Sequence, residues 1–333
     1  MCYVKRCGVA RLILHVGTHK TGSTAIQDAF HHHREVLARH GVIYPSFAPH
    51  TGHHALLTDW IHLPKAYLHP EGGEAGLVAL AEAWRDHDIT LVLSSEEFSR
   101  GGGAGGRPDL ARVCAIFSDF EEVVVLCFLR EPWTFLQSVY LEIGRSRVPP
   151  APHALCETAT KCGLVDGLWA DYRRLYGLLR EGFAEKHIHL ASFERASRQE
   201  GGVIGYVLDQ CRANIPHEIR LKITQVEANR STLPLPTWAA FAIAGGPMPT
   251  ERLLIATEDA FNLEFGKGTT STIFTPDEIE AFCEVSRPRC STLPWSLPPL
   301  STESDWGALA RSWINRANLP NSYWVRVARR LAV

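Results

Sequence analysis

Eight consecutive residues of this sequence, 17–24, combine the residue types that proteins use to bind anions. They read Gly-Thr-His-Lys-Thr-Gly-Ser-Thr, and they lie between an apolar run at 12–16, which predicts a buried strand, and apolar residues at helical spacing. In such a turn, backbone N–H groups and the unpaired N–H groups of the first helical turn point to one place, which favours an anion. The stretch therefore predicts a site for a phosphate-type group. An ordinary turn between a strand and a helix is the alternative.

The loop differs at its lysine from the phosphate-binding loop of ATPases and GTPases. That loop has four residues between its glycines, followed by Lys and then Ser or Thr. Gly17 and Gly22 keep the spacing, but Ser23 stands at the lysine position and Lys20 lies inside the loop. This departure argues against an ordinary nucleoside triphosphatase. A P-loop kinase or NTPase stays as the alternative, because residues 94–97, Ser-Ser-Glu-Glu, could hold magnesium after a strand.

A second candidate anion site follows the strongest strand signal in the chain, residues 123–129. Arg130 comes directly after that run, Pro132 marks a helix start, and Ser138 lies one to two turns inside the predicted helix. A guanidinium group binds phosphate through two parallel hydrogen bonds, so Arg130 suits a second phosphate. An arginine in an ion pair at the end of a strand is the alternative interpretation.

Together the two motifs resemble those of the sulfotransferases. The phosphosulfate loop of that family is usually written Pro-Lys-Thr-Gly-Thr-Thr, and residues 19–24 read His-Lys-Thr-Gly-Ser-Thr. Arg130 and Ser138 match the second signature, whose arginine and serine bind the 3′-phosphate of 3′-phosphoadenosine 5′-phosphosulfate (PAPS) in the family. The resemblance implies PAPS as co-substrate, no metal, and in-line transfer of a sulfuryl group to a hydroxyl of a carbohydrate or small metabolite. It implies cofactor binding by Thr18, His19, Lys20, Thr21, Gly22, Ser23, Thr24, Arg130 and Ser138.

Transfer to a hydroxyl calls for a residue that accepts its proton. His53 and His54 lie in a Gly-His stretch that resembles one in some glycan sulfotransferases, and a histidine suits general-base work near neutral pH. Glu96 and Glu97, at the end of a predicted strand, are the rival candidates. We predict His53 as the base, with His54 and Glu96 as further catalytic candidates. Lys20 would stabilise the charge that develops on the leaving oxygen.

Alternating strand and helix patterns predict an α/β fold with a central parallel sheet, flanked by helices, of the P-loop-containing sulfotransferase-like type. Both motifs then follow strands, at the edge where open α/β sheets bind ligands. The whole chain, 1–333, is predicted as one sulfotransferase domain, with a nucleotide-binding core over 11–232 and a mostly helical extension over 233–333. Strands are predicted at 12–16, 42–45, 89–93, 123–129 and 188–193. Helices are predicted at 55–60, 75–84, 110–117, 165–179, 277–285, 306–314 and 323–331, and an irregular insertion at 145–161. Two short segments, 193–195 and 229–231, also resemble elements of bacterial sulfotransferases.

Composition narrows the class of protein. Of the 333 residues, 45% are hydrophobic and 21% charged, and the net charge of −2 indicates no general attraction to nucleic acid or to an anionic membrane. The nine cysteines form an odd set without Cys-x-x-Cys, which indicates a reduced protein. No signal-peptide pattern is present at the start, so the cytoplasm is the expected compartment. A non-catalytic nucleotide-binding protein remains a third hypothesis, because histidine replaces the family's proline at position 19.

Overall fold

A parallel sheet forms the centre of the fold. The computed structural model describes residues 9–47, 50–102, 105–225, 232–299 and 312–332. Six strands within them pair in the order Val42–Ile43, Thr90–Ser94, Arg11–Gly17, Glu122–Leu129, Ile188–Ser192 and Trp295–Leu297, and every neighbouring pair is parallel. The predicted α/β class with a parallel sheet flanked by helices is thus confirmed. The strands are β1 Arg11–Gly17, β2 Val42–Ile43, β3 Thr90–Ser94, β4 Glu122–Leu129, β5 Leu164–Val165, β6 Leu168–Trp169, β7 Ile188–Ser192 and β8 Trp295–Leu297.

The described helices alternate with these strands in the first part of the chain and follow one another in the last part. They are α1 Ser23–His32, α2 Arg34–Arg39, α3 Gly73–Trp84, α4 Leu110–Ile116, α5 Pro132–Ile143, α6 Pro152–Cys162, α7 Tyr172–Gly182, α8 Phe193–Ala196, α9 Gly202–Gln210, α10 His217–Thr224, α11 Pro234–Ala244, α12 Glu251–Phe265, α13 Pro276–Ser291 and α14 Asn321–Leu331. No helix in the described part of the chain is long and apolar enough to cross a membrane.

The chain is organised as two compact units. The first comprises the described residues of Met1–Glu131, Gly167–Ala228 and Thr292–Leu300, and it holds the whole six-stranded sheet. The second comprises those of Pro132–Asp166, Asn229–Ser291 and Ser301–Val333. Residues 132–166, which the sequence analysis placed in the nucleotide-binding core, thus group with the C-terminal helices.

The core of the first unit holds β1 and α1 in place. Ile13 of β1 and Ile26 and Phe30 of α1 are fully buried in one apolar cluster. Burying a side chain of this size stabilises a fold by about 1.5–3 kcal/mol. The strand and the helix are therefore fixed firmly on either side of the loop that joins them. In the second unit, Leu235, Phe261 and Tyr323 belong to a separate cluster formed by α11, α12 and α14.

Several predicted elements differ from those observed. Residues 145–161 are not wholly irregular, since Pro152, favourable at a helix start, opens α6, and Gly163 in the left-handed conformation ends it. The helix predicted over 165–179 starts later, at Tyr172, where the Asp171 side chain caps it by accepting from the backbone N–H groups of Arg173 and Arg174. Residues 55–60 form only a short 3₁₀ turn, His54–Leu57. The segment 229–231 and most of 306–314 lie outside the described residues.

Candidate active site

The loop between β1 and α1 has the backbone shape of an anion site. Gly17, Lys20 and Gly22 all lie in the left-handed region, with φ of 84°, 65° and 80°. A Cβ on Gly17 would lie 2.8 Å from Glu96 Cβ, so only glycine fits there. No side chain caps the N terminus of α1, and its first turn holds no acidic residue. The positive end of the α1 dipole is therefore not neutralised by a side-chain cap or by an acidic residue of the helix.

The hydroxyl groups of the loop divide into two sets. Thr21 Oγ1 and Ser23 Oγ donate to the Thr18 carbonyl, at 2.5 and 3.4 Å, and all three side chains are buried. The Thr18 N–H donates in turn to the Phe128 carbonyl on β4 at 2.9 Å. These side chains close the loop, so what Thr21 and Ser23 can offer an anion is their backbone N–H groups. Thr24, in contrast, is exposed on the first turn of α1.

Arg130, the first residue of the second motif, contacts the anion loop. It follows β4, the neighbour of β1, and its Nη1 donates to the Lys20 carbonyl at 3.3 Å. The guanidinium lies 5.3 Å from the centre of the Phe193 ring, and its Nε is 3.8 Å from a carboxylate oxygen of Glu194. The Tyr172 hydroxyl donates to the Arg130 carbonyl at 2.7 Å, which holds this backbone. Burial lowers the pKa of Arg130, although the group stays cationic.

Ser138 lies on α5, in the second unit. Its side chain is buried, and its Oγ donates to the Thr134 carbonyl one turn earlier at 2.9 Å. A serine commonly bonds the helix backbone in this way. The predicted contact of Ser138 with a 3′-phosphate stays a prediction.

His53 is not suited to be the catalytic base, contrary to our prediction. It is fully buried, and its Nδ1 accepts from the Ser94 backbone N–H at 2.8 Å. The ring proton must therefore lie on Nε2, which is 2.8 Å from the Pro45 carbonyl and donates to it. Burial lowers the pKa of His53 to about 4, so the ring is neutral. Both nitrogens are engaged, and His53 has a structural role that ties its loop to the end of β3.

Glu96 and His54 lie next to the anion loop. Glu96 packs against Gly17, and its Oε2 accepts from Gln27 Nε2 at 2.9 Å. His54 Nδ1 is 2.8 Å from Ser95 Oγ. Burial by itself raises the pKa of Glu96, but the charges of His19 and His54 and the Gln27 hydrogen bond outweigh it and lower that pKa. Glu96 is thus a half-buried carboxylate that is ionised at neutral pH and is oriented by the side-chain amide of Gln27.

Glu97 is engaged in an ion-pair network. Its carboxylate accepts from both Arg100 Nε and Arg100 Nη2, and it lies 3.4 Å from His19 Nε2. Burial raises the pKa of Glu97, yet these hydrogen bonds prevail and lower it to about 2. Because both oxygens already bind cationic partners, Glu97 is a poor ligand for magnesium. Among the described residues, no three His, Cys, Asp or Glu side chains group as a metal site would require.

Two residues that lie beside the candidate site were not predicted as part of it from the sequence. Phe193 directly follows β7, and its ring would lie 3.5 Å from a Cβ on Gly22. The Phe-Glu-Arg segment that begins there was a weak signal for it. Gln27 carried no signal at all, because one amide on an amphipathic helix has no distinguishing pattern.

Comparison with known proteins places the chain beside two solved structures. No protein-family model matches the chain, and no curated protein matches it. The sulfotransferase of Alicyclobacillus acidocaldarius is 14% identical, with a TM-score of 0.42, over 66% of this chain and 85% of that one. The mouse sulfotransferase SULT7A1, complexed with PAP, is 13% identical, with a TM-score of 0.43, over 92% of this chain and 88% of that one. Both are sulfotransferases, the family that the two sequence motifs resemble.

Proposed function

We propose that this protein is a sulfotransferase that moves a sulfuryl group from PAPS to a hydroxyl of a carbohydrate or small metabolite. The observation that carries the proposal is the contact between the two anion motifs, Arg130 Nη1 to the Lys20 carbonyl at 3.3 Å. PAPS bears a phosphosulfate and a separate 3′-phosphate, so its protein site needs two cationic positions close together. The loop of residues 17–24 and the guanidinium of Arg130 supply them.

Each end of the nucleotide has a partner in this arrangement. The N–H groups at the start of α1 and the ammonium of Lys20 suit the phosphosulfate. The fork of the Arg130 guanidinium suits the 3′-phosphate, because it can donate two parallel hydrogen bonds. The Phe193 ring lies beside both Gly22 and Arg130, where it offers a face for the nucleobase.

The residues around Gly17 suit the acceptor's side of the reaction. When the acceptor oxygen forms its bond to sulfur, the bond from sulfur to the bridging phosphate oxygen breaks and the hydroxyl loses its proton. We assign the proton to Glu96, a carboxylate that Gln27 orients and whose ionised form His19 and His54 favour. Lys20 and the donors of α1 stabilise the charge that grows on the leaving oxygen.

Nucleotide titration tests the cofactor part of the proposal. Adenosine 3′,5′-bisphosphate, the product nucleotide, should bind more tightly in calorimetry than ATP with magnesium, because it carries the separate 3′-phosphate. Arg130→Ala should weaken that binding roughly ten- to a hundredfold, as expected for hydrogen bonds to a charged group worth about 1.5–3 kcal/mol.

Arg212→Ala is the matched control for this experiment. Arg212 pairs with Glu122 at 3.0 Å, at the start of β4 rather than at its end. Glu122 begins β4 and Arg130 follows its last residue, so they are eight residues apart, about 26 Å at about 3.3 Å per residue. Arg212→Ala should leave nucleotide affinity unchanged. Tighter binding of ATP with magnesium, or an Arg130→Ala variant that binds like the parent, would contradict the proposal and favour a P-loop kinase or NTPase.

A further inference from the structure

A cavity of about 350 Å³ lies in the first unit, and rings form much of its wall. The His50 and Tyr67 rings stack with centres 3.9 Å apart and planes at 17°. The Phe47 and His69 rings meet at 5.5 Å and 61°. Small and apolar residues, including Ala55, line the rest, and Glu71 is the one acidic residue of the described lining. Its volume is that of a site for a small organic molecule.

This cavity adjoins the residues assigned to proton transfer. The Tyr67 ring lies edge-on to the His54 ring, with the ring centres 5.3 Å apart. The His54 side chain is hydrogen-bonded to Ser95, the residue before Glu96. Gly52 also lines the cavity, and a Cβ there would lie 2.7 Å from the side-chain amide of Gln27. That amide holds the Glu96 carboxylate. Two residues that line the cavity, Tyr67 and Gly52, therefore contact the side chains that lie around Glu96, the candidate base.

We propose that the acceptor is an aryl alcohol, a phenol or naphthol whose ring occupies this cavity and whose hydroxyl points toward Glu96 and His54. This inference rests on the sulfotransferase function proposed above. Aromatic walls favour an aromatic ring through offset and edge-to-face contacts. A sugar would bring several hydroxyl groups, and each buried hydroxyl without a partner costs about 1–3 kcal/mol. The polar side chains of the described lining, those of His50, Tyr67, His69 and Glu71, would have to supply a partner for each of these hydroxyl groups.

The reaction is balanced with these two substrates alone. The aryl oxygen forms a bond to the sulfur of PAPS, and the bond from sulfur to the bridging phosphate oxygen breaks with its electron pair. Glu96 takes the phenol proton and later releases it to water. The products are an aryl sulfate and adenosine 3′,5′-bisphosphate, and no electron transfer takes place. A phenol, with a pKa of about 10, gives up its proton more easily than an aliphatic alcohol, which suits a carboxylate base.

Two measurements on the full chain test the acceptor class. Transfer of ³⁵S from labelled PAPS is compared for 2-naphthol and methyl β-glucoside, and the fluorescence of 2-naphthol reports its binding without PAPS. Ala55→Leu fills part of the cavity, and Ala83→Leu makes the same change on the exposed face of α3. We expect sulfation of 2-naphthol, a KM raised at least tenfold in Ala55→Leu, and parental behaviour in Ala83→Leu. Affinity for adenosine 3′,5′-bisphosphate should stay at the parental level in both variants.

Each contrary result has its own meaning. Sulfation of the glucoside but not of 2-naphthol, or a KM that Ala55→Leu leaves unchanged, overturns the aryl assignment while the sulfotransferase function stands. Failure to bind adenosine 3′,5′-bisphosphate overturns the proposed function itself. In that case the fluorescence titration still decides whether the cavity takes an aryl ring, because it needs no nucleotide. Absence of naphthol binding by the parent chain overturns the inference outright.

Discussion

Glu96→Gln is the substitution that best separates the assigned base from its neighbours. The change removes the carboxylate charge and keeps the shape, and the new amide oxygen can still accept from Gln27. We therefore expect folding stability close to that of the parent. Turnover should fall by roughly 10²–10⁴, the usual contribution of a general base. At about 1.4 kcal/mol per tenfold, this is about 3–6 kcal/mol of activation free energy.

The pH profile of the parent enzyme supplies the second part of this test. The pKa of Glu96 is lowered from its ordinary value of 4.5, so the base stays ionised well below neutral pH. The rate of ³⁵S transfer should accordingly stay level from pH 8 down toward pH 5. A histidine base would instead give an acidic limb near pH 6.5. A limb at that pH, abolished by His54→Ala, together with full turnover in Glu96→Gln, would refute the assignment and move the role to His54.

His53→Ala is the control for a purely structural histidine. The substitution leaves the Ser94 N–H and the Pro45 carbonyl without their partners. Each unsatisfied buried group costs about 1–3 kcal/mol, so urea unfolding should show a loss of about 2–6 kcal/mol. Turnover per folded molecule should stay within about twofold of the parent. A hundredfold loss of turnover at parental stability would contradict the structural role derived above.

Two further predictions concern the loop and the buried histidines. Lys20→Ala should lower turnover by about 10²–10³, the cost of losing one donor to a developing anion, and parental turnover in ³⁵S transfer would exclude Lys20 from catalysis. Burial lowers the pKa of His15 and of His53 from 6.5 to about 4, so folding favours their neutral forms. The stability this gives is complete above pH 6.5 and is lost as pH falls toward 4, because the unfolded chain takes up these protons first. Between pH 7 and pH 5 each histidine should account for about 2 kcal/mol of the loss in unfolding free energy, and His53→Ala should halve that pH dependence. An unfolding free energy independent of pH over this range would contradict the burial of these rings.

The anion loop shows how much local pattern can predict. An apolar run, a turn with two glycines and a helical pattern follow each other within twenty residues. The hydrogen bonds and backbone angles of such a unit depend mostly on neighbouring residues, so β1, the turn and α1 were predicted nearly as they are. The position of Arg130 at the end of β4 was predicted for the same reason, since an uninterrupted apolar run marks a buried strand.

The choice between His53 and His54 needed the tertiary structure. The two residues are adjacent and identical in type, and nothing in the sequence says which ring enters the core. Ser94 and Pro45, which engage the two nitrogens of His53, lie 41 and 8 residues away in the chain. Gln27 and Glu96, 69 residues apart, meet only because β1 and β3 pair side by side. Residue types and short spacings thus determined the chemistry that this sequence can support. The tertiary structure decided which side chains carry it, because burial and hydrogen-bond partners come from segments far apart in the chain.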